Sequence, residues 1–243
     1  QRFLMETSWE ALEDAGIIPA TLNHSKTGFF IGMSGEDYAR FHRHSGDPKL
    51  INAYSLTGST MSTAAGRLSY FYGSNGPSLT LDTACSSSLV ALHLAVQSLQ
   101  SGESDPEVHV AFCRLGALSP DGACKTFSAN ADGYVRSEGT GFVVLERLED
   151  CENRKSKIYG VVNGSAINQD GRTAGLSAPS ARAQQEVILT ALDDAKLEPS
   201  QIDYVETHGT GTNLGDPIEI EALFESIGQR RDRPLLIGSA KSN

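Results

Sequence analysis

Pro77-Ser78-Leu79-Thr80-Leu81-Asp82-Thr83-Ala84-Cys85-Ser86-Ser87-Ser88-Leu89 places a cysteine at the junction of two hydrophobic periodicities. Residues 77–81 alternate polar and apolar, the pattern of a strand. Leu89, Leu92, Val96 and Leu99 then recur at steps of three, four and three, the pattern of a helix, and Gly102 supplies a C-terminal stop. Cys85 is expected in the first turn of that helix, among small side chains. Unpaired backbone N–H groups and the positive end of the helix dipole there stabilise a thiolate, and the same N–H groups can hold a developing oxyanion. A small cysteine packed at a helix start gives the same local pattern, because free Cys is among the most buried residue types.

A second segment adds weight to the chemical reading. Val205-Glu206-Thr207-His208-Gly209-Thr210-Gly211-Thr212 follows Ile202-Asp203-Tyr204-Val205, a short apolar stretch that reads as a strand. Its glycines let the backbone approach a ligand closely, and its threonines offer hydroxyls. His208 has little apolar sequence around it, and loops at strand ends are where catalytic groups concentrate. A structural or simply exposed histidine would fit the same loop. Cys85 and His208 lie far apart in sequence, so any pairing depends on the fold.

The composition is that of an ordinary globular chain of 243 residues, with 39% hydrophobic and 21% charged residues and a formal net charge of −10. That charge argues against nucleic acid and against an anionic membrane surface. No stretch approaches the ~20 apolar residues of a membrane span, and the amino terminus reads as part of a helix rather than a signal peptide. Cys85, Cys113, Cys124 and Cys151 form no metal-ligand pair of the C-x-x-C kind, so no metal is expected. A reducing cytoplasm suits them.

Helical and strand-like segments alternate along the chain, which implies α/β layers. Residues 3–15 read as a helix with Leu4, Met5, Trp9 and Leu12 on one side, and 27–32 as a buried strand. Residues 34–48 read as a solvated loop in preference to a metal or anion site built on His42, Arg43 and His44. Tyr70, Phe71 and Tyr72 read as core or interface. Strands are expected over 139–148, 158–166 and 235–238, and a charged crossover over 149–157. A helix over 180–197 is capped by Ser180 and carries Val187, Ile188, Ala191, Leu192 and Ala195 on one stripe. Asp216-Pro217 reads as the cap and first position of another helix.

Taken together, Asp82-Thr83-Ala84-Cys85-Ser86-Ser87-Ser88-Leu89, Glu206-Thr207-His208-Gly209-Thr210-Gly211-Thr212 and Gly238-Ser239-Ala240-Lys241-Ser242-Asn243 resemble the beta-ketoacyl synthase (ketosynthase) domain of modular type I polyketide synthases. So do Ala65-Gly66-Arg67-Leu68-Ser69-Tyr70, Leu118-Ser119-Pro120-Asp121-Gly122, Asp132-Gly133-Tyr134-Val135-Arg136-Ser137-Glu138-Gly139 and Gly215-Asp216-Pro217-Ile218-Glu219, in the family's order and across nearly the whole chain. The resemblance implies a thiolase-like fold, five α-β-α-β-α layers from two similar halves, usually homodimeric. Residues 1–157 would form the half with the nucleophile, and 158–243 the start of the half with the histidine loop.

By the same resemblance, Cys85 accepts an acyl chain as a thioester and His208 assists decarboxylation of a malonyl-type extender. Thr210 and Thr212 contact the phosphopantetheine arm of an acyl carrier protein, and Lys241 supports the site electrostatically or serves as a structural ion-pair partner. No bound cofactor is implied. The partners would be the carrier protein, a second copy and neighbouring domains of a multidomain synthase. A non-elongating ketosynthase and a non-catalytic dimer scaffold are alternatives. The intact histidine loop favours elongation, and Cys85 argues against the scaffold.

Two departures from the family carry expectations of their own. The family continues past its Lys-Ser-Asn segment to a second catalytic histidine, so these 243 residues alone are expected to be inactive in condensation. At Asp105-Pro106 the chain joins directly where the family has an apolar strand of roughly a dozen residues. Either a strand or part of the numbering is missing. A missing strand would leave its neighbours with unpaired backbone groups and the chain poorly soluble.

Overall fold

The computed structural model describes residues 1–34, 53–105, 109–112, 122–135, 139–175, 178–229 and 231–242. The chain forms two compact units, Gln1–Leu115 with Glu138–Val161, and Gly116–Ser137 with Val162–Asn243. The loop carrying His42, Arg43 and His44 lies outside the described residues, as does Cys113.

In the first unit, β1 (Gly28–Gly32) is flanked on its two edges by β2 (Ser78–Leu81) and β3 (His109–Phe112), both parallel to it, and β4 (Val143–Leu145) runs antiparallel to β3. The Gly-Phe-Phe-Ile-Gly run of β1 is buried throughout, as a strand covered on both faces must be. One face, through Phe29 and Ile31, packs on α1 (Arg2–Asp14) and on the Ser62–Tyr72 helix. In sequence order the latter is α3, after the short α2 (Ala53–Thr57). The other face, through Phe30, packs on Ala91 and Ala95 of α4 (Ser87–Ser101). Helix, sheet and helix are thus three successive layers. Full burial of a side chain such as Leu12, 0% exposed, contributes about 1.5–3 kcal/mol.

The buried stripe of α1 is Leu4, Ser8 and Leu12. Ser8 tolerates burial because its hydroxyl pairs with the Tyr72 hydroxyl at 2.9 Å. Trp9, expected on that stripe, sits at its margin, 41% exposed, with Nε1 donating to Glu13 at 2.9 Å. The aromatic run splits: Tyr72 is core, whereas Tyr70 is 90% exposed. Helix α4 ends at Gly102, whose φ of 73° is the left-handed conformation that glycine adopts without penalty.

The join at Asp105 corrects the expectation of an empty sheet position. Pro106 lies outside the described residues. On the near side, the Asp105 carboxylate accepts the Lys26 N–H at 2.5 Å, and the Asp105 N–H donates to the Lys26 carbonyl at 3.4 Å. The chain leaving α4 is thereby tied to Lys26, two residues ahead of β1. His109-Val110-Ala111-Phe112 then fills the position beside it, pairing Gly28 with His109 and Ile31 with Phe112. β1 therefore has a ladder partner on each edge, and β4 pairs with β3.

The second unit holds a parallel pair, β5 (Tyr204–Glu206) and β6 (Leu236–Gly238). Helix α5 (Leu148–Arg154), the charged crossover, belongs to the first unit. Helices α6 (Ala181–Ala195) and α7 (Gly215–Leu223) pack with the pair around Leu192, Leu223 and Ile227. Ser180 caps α6 as expected, its hydroxyl accepting the Ala183 N–H at 3.1 Å. The strand expected over 158–166 is absent from the described residues. Around Gly164 the segment instead runs close against α6: the Ser165 N–H donates to Asp194 at 2.8 Å, and an added Cβ on Gly164 would lie 2.4 Å from the Ala195 nitrogen.

Candidate active site

Strand β2 delivers Cys85 through a tight elbow. The Asp82 carboxylate accepts the Ala84 N–H at 2.9 Å, and Ala84 takes a φ of 54°, a left-handed conformation rare for a residue with a side chain. Residues 84–86 form a single 3₁₀ turn, so Cys85 lies just ahead of α4 and not inside its first turn. Cys85 is exposed. The serines around it stitch the elbow. The fully buried Ser87 hydroxyl accepts from the Thr83 N–H at 2.9 Å and donates to the Ala84 carbonyl at 2.7 Å. Ser86 donates to the Thr83 carbonyl at 2.9 Å. The sequence shows these serines only as small residues; their hydrogen bonds hold the sulfur at the surface of the first unit.

The other described cysteines are unlike it. Cys124 is buried. The Cys151 thiol is pushed up to about 11, by burial first and then by the Glu146 carboxylate it donates to at 3.0 Å. Cys151 is therefore almost wholly protonated at neutral pH.

In the second unit, β5 leads into the histidine loop, and α7 holds it. The Glu219 carboxylate accepts the His208 N–H at 2.6 Å and the Gly209 N–H at 2.8 Å. The buried Asp216 carboxylate accepts the Phe127 N–H at 2.7 Å and the Thr212 N–H at 3.3 Å. Asp216 is thus not the helix cap. The Thr212 hydroxyl accepts the Gly215 N–H at 3.2 Å at the helix start, which frees Asp216 to bind loops. Glu219, given no role in the sequence reading, and Asp216, read there as a helix cap, are the two residues whose part in the site the sequence did not show. The signal that could have found them was two carboxylates three apart in a helix that directly follows a glycine-rich loop.

His208, Thr210 and Thr212 come together on one cleft of about 680 Å³, with Val187, Ile188 and Leu214. The Thr210 and Thr212 hydroxyls lie 3.0 Å apart. The His208 ring keeps an open side to solvent, yet close packing on its other side lowers its pKa, and the Lys241 charge lowers it further. Glu219 and Asp216 pull the other way and are outweighed. Lys241 lies in the Ala240–Ser242 turn after β6; hydrogen bonds from the Tyr204 hydroxyl and then the Ala240 N–H hold Glu206 below the usual carboxylate range, and the Lys241 charge adds a smaller contribution. Among the described residues no three His, Cys, Asp or Glu side chains gather to hold a metal ion.

The beta-ketoacyl synthase N-terminal domain model matches residues 1–151 and the C-terminal domain model matches 159–243. Over 257 aligned positions the chain is 51% identical to polyketide synthase GfsB of Streptomyces halstedii, covering 100% of this chain and 5% of that protein. It is 48% identical to the pikromycin polyketide synthase component PikAII of Streptomyces venezuelae, covering 100% of this chain and 7% of that protein. The ketosynthase from module 6 of the bacillaene synthase of Bacillus subtilis 168 superposes with a TM-score of 0.86 at 39% identity, over 99% of this chain and 43% of that one. The chain therefore spans under half the length of each of these proteins. Since the two family models between them take in nearly every residue, and a ketosynthase structure overlays the chain almost end to end, this chain belongs to the beta-ketoacyl synthase family, as ketosynthase sequence of the modular polyketide synthase kind on a thiolase-like fold.

Proposed function

We propose that the domain carrying this chain performs decarboxylative Claisen condensation, with Cys85 as nucleophile and His208 as the donor that assists decarboxylation. The observation that supports it best is the placement of His208 on one cleft with Thr210 and Thr212, its backbone held by Glu219. Burial and the Lys241 charge lower its pKa, which favours a neutral imidazole, and that form still carries one N–H to donate. In the first step the Cys85 sulfur attacks an acyl thioester on a carrier protein. An acyl–cysteine thioester forms, and the carrier thiol leaves with the proton. In the second, a malonyl-type thioester loses carbon dioxide. The electron pair moves onto the thioester carbonyl, where His208 donates a hydrogen bond to the growing enolate charge. The enolate carbon then attacks the cysteine thioester, and the sulfur leaves as thiolate. Thr210 and Thr212, on the same cleft as His208, supply hydroxyls for the phosphopantetheine arm, and Lys241, whose charge acts on His208, supports the site electrostatically. The intact loop supports elongation over simple acyl transfer.

The halves are taken as 1–157 and 158–243, a division supported by the gap between the two family matches. The names of the relatives support neighbouring synthase domains and a carrier protein as partners. No helix among the described residues is long and apolar enough to cross a membrane. We place the protein in the cytoplasm, a reducing compartment that suits a free nucleophilic cysteine. A homodimer is supported by β2. It is the edge strand of its sheet, with Leu79 45% exposed on it and Leu89 of the following helix 68% exposed.

Three outcomes test this reading in the complete ketosynthase domain. A thiol-reactive acyl mimic at neutral pH should modify Cys85 first, as read by peptide mass spectrometry; equal labelling of Cys124 or Cys151 would contradict the assignment. His208→Ala should keep acyl loading of Cys85 while carbon dioxide release from malonyl-carrier protein falls roughly 10²–10³-fold, the usual loss when one preorganised donor is removed. A folded variant that cannot be loaded, or that still decarboxylates, would refute the roles. Light scattering at micromolar concentration should give a dimer, and Leu79→Lys should shift it toward monomer. A monomeric native domain would refute the edge pairing.

A further inference from the structure

Every side-chain donor that reaches the Gly209 carbonyl comes from outside the histidine loop. The Thr126 hydroxyl donates to it at 2.8 Å, the Ser239 hydroxyl at 3.2 Å, and the Cys124 thiol, a weak donor, lies at 3.8 Å. Gly209 follows His208 directly and has a φ of 46°. A Cβ on Gly209 would lie 2.6 Å from Thr126 Cγ2 and 2.7 Å from Ser239 Cβ, so Thr126 packs against the glycine as well as bonding to it.

The strip carrying Thr126 is itself anchored. The next residue, Phe127, donates its N–H to Asp216 at 2.7 Å, and the Gly133 N–H donates to the Gly211 carbonyl at 2.8 Å. Residues 124–133 thus hold the loop's carbonyls, while Asp216 and Glu219 hold its N–H groups.

From this geometry we infer that Thr126 is a positioning residue for His208, acting through the Gly209 carbonyl. Three peptide planes run through the His208–Gly209 pair. Glu219 bonds the N–H groups on the first two, those of His208 and Gly209, and the third, which carries the Gly209 carbonyl, can rotate at a glycine unless its oxygen is bonded. Because Asp216 holds the Thr212 N–H on the far side, a rotation there is taken up by a shift of the His208–Gly209 backbone, and with it of the imidazole, against the cleft, and a displacement of an ångström in a catalytic group is costly in rate. Thr126 gives the shortest of the three contacts and comes from a rigid strip, so it contributes most of this restraint. The inference rests on the assignment of His208 to decarboxylation.

The test uses Thr126→Val, which keeps the side-chain shape and removes the donor, Thr126→Ser, which keeps the donor, and His208→Ala, all in the complete ketosynthase domain. Carbon dioxide release from malonyl-carrier protein and acyl loading of Cys85 are measured separately. Thr126→Val should slow decarboxylation about five- to tenfold, the scale of one lost hydrogen bond, and leave loading unchanged. Thr126→Ser should restore decarboxylation to within about twofold of native. Native-like decarboxylation in Thr126→Val would overturn the inference. So would an equal fall in both steps, which marks a general structural role, or failure of Thr126→Ser to rescue. If His208→Ala itself decarboxylates normally, the assignment of His208 fails instead, and that result is separable from the behaviour of the Thr126 variants.

Discussion

One carboxylate, Glu219, fixes the histidine loop by taking two consecutive backbone N–H groups, those of His208 and Gly209, at 2.6 and 2.8 Å. A glycine-rich loop depends on bonds to its backbone to be rigid. It has few side chains to pack, and its φ angles are free. Charge-assisted bonds to backbone N–H groups are about twice as strong as neutral ones, so a carboxylate on a helix is an efficient anchor. Glu219 projects from α7, which packs on α6 around Leu192 and Leu223, and that packing fixes the anchor in turn. Asp216, one turn earlier, extends the same device to Thr212 and to the strip at Phe127.

The cysteine elbow solves the same problem by different means. There the backbone must turn sharply from strand to helix, and a non-glycine residue, Ala84, takes the left-handed conformation. Such a residue costs on the order of 1–3 kcal/mol and persists only where its surroundings over-determine it. The hydroxyls of Ser86 and Ser87 and the Asp82 carboxylate do so by satisfying the polar groups of the turn. The serine-rich sequence after Cys85 is thus a set of backbone partners. The cysteine stays exposed while Ser87, two residues on, is fully buried.

Local periodicity made much of this legible. Helix α4 ends where Gly102 allows, α6 starts where Ser180 caps it, and β1 is the buried apolar run it reads as. The motifs around Cys85 and His208 carried the family. What stayed hidden depended on partners distant in sequence. Asp216 reads as a helix cap because Asp-Pro is a common start, yet its carboxylate binds the Phe127 N–H, 89 residues away. Residues 158–166 have a strand's composition, but neither sheet among the described residues includes them. No element is assigned to residues 109–112 from the sequence; they pair with β1 as β3, a ladder between stretches about 80 residues apart that local periodicity does not show.

Amide hydrogen exchange at His208 and Gly209, in the native domain and in Glu219→Ala, tests the anchoring claim most directly. The Thr207 N–H, which donates to the Gly238 carbonyl at 2.8 Å, serves as internal reference for an intact β5–β6 pair. The account predicts both loop amides protected in the native protein and exchanging about tenfold faster or more in Glu219→Ala, with Thr207 unchanged. Loop amides already exchanging freely in the native protein, or unaffected by loss of the carboxylate, would contradict it.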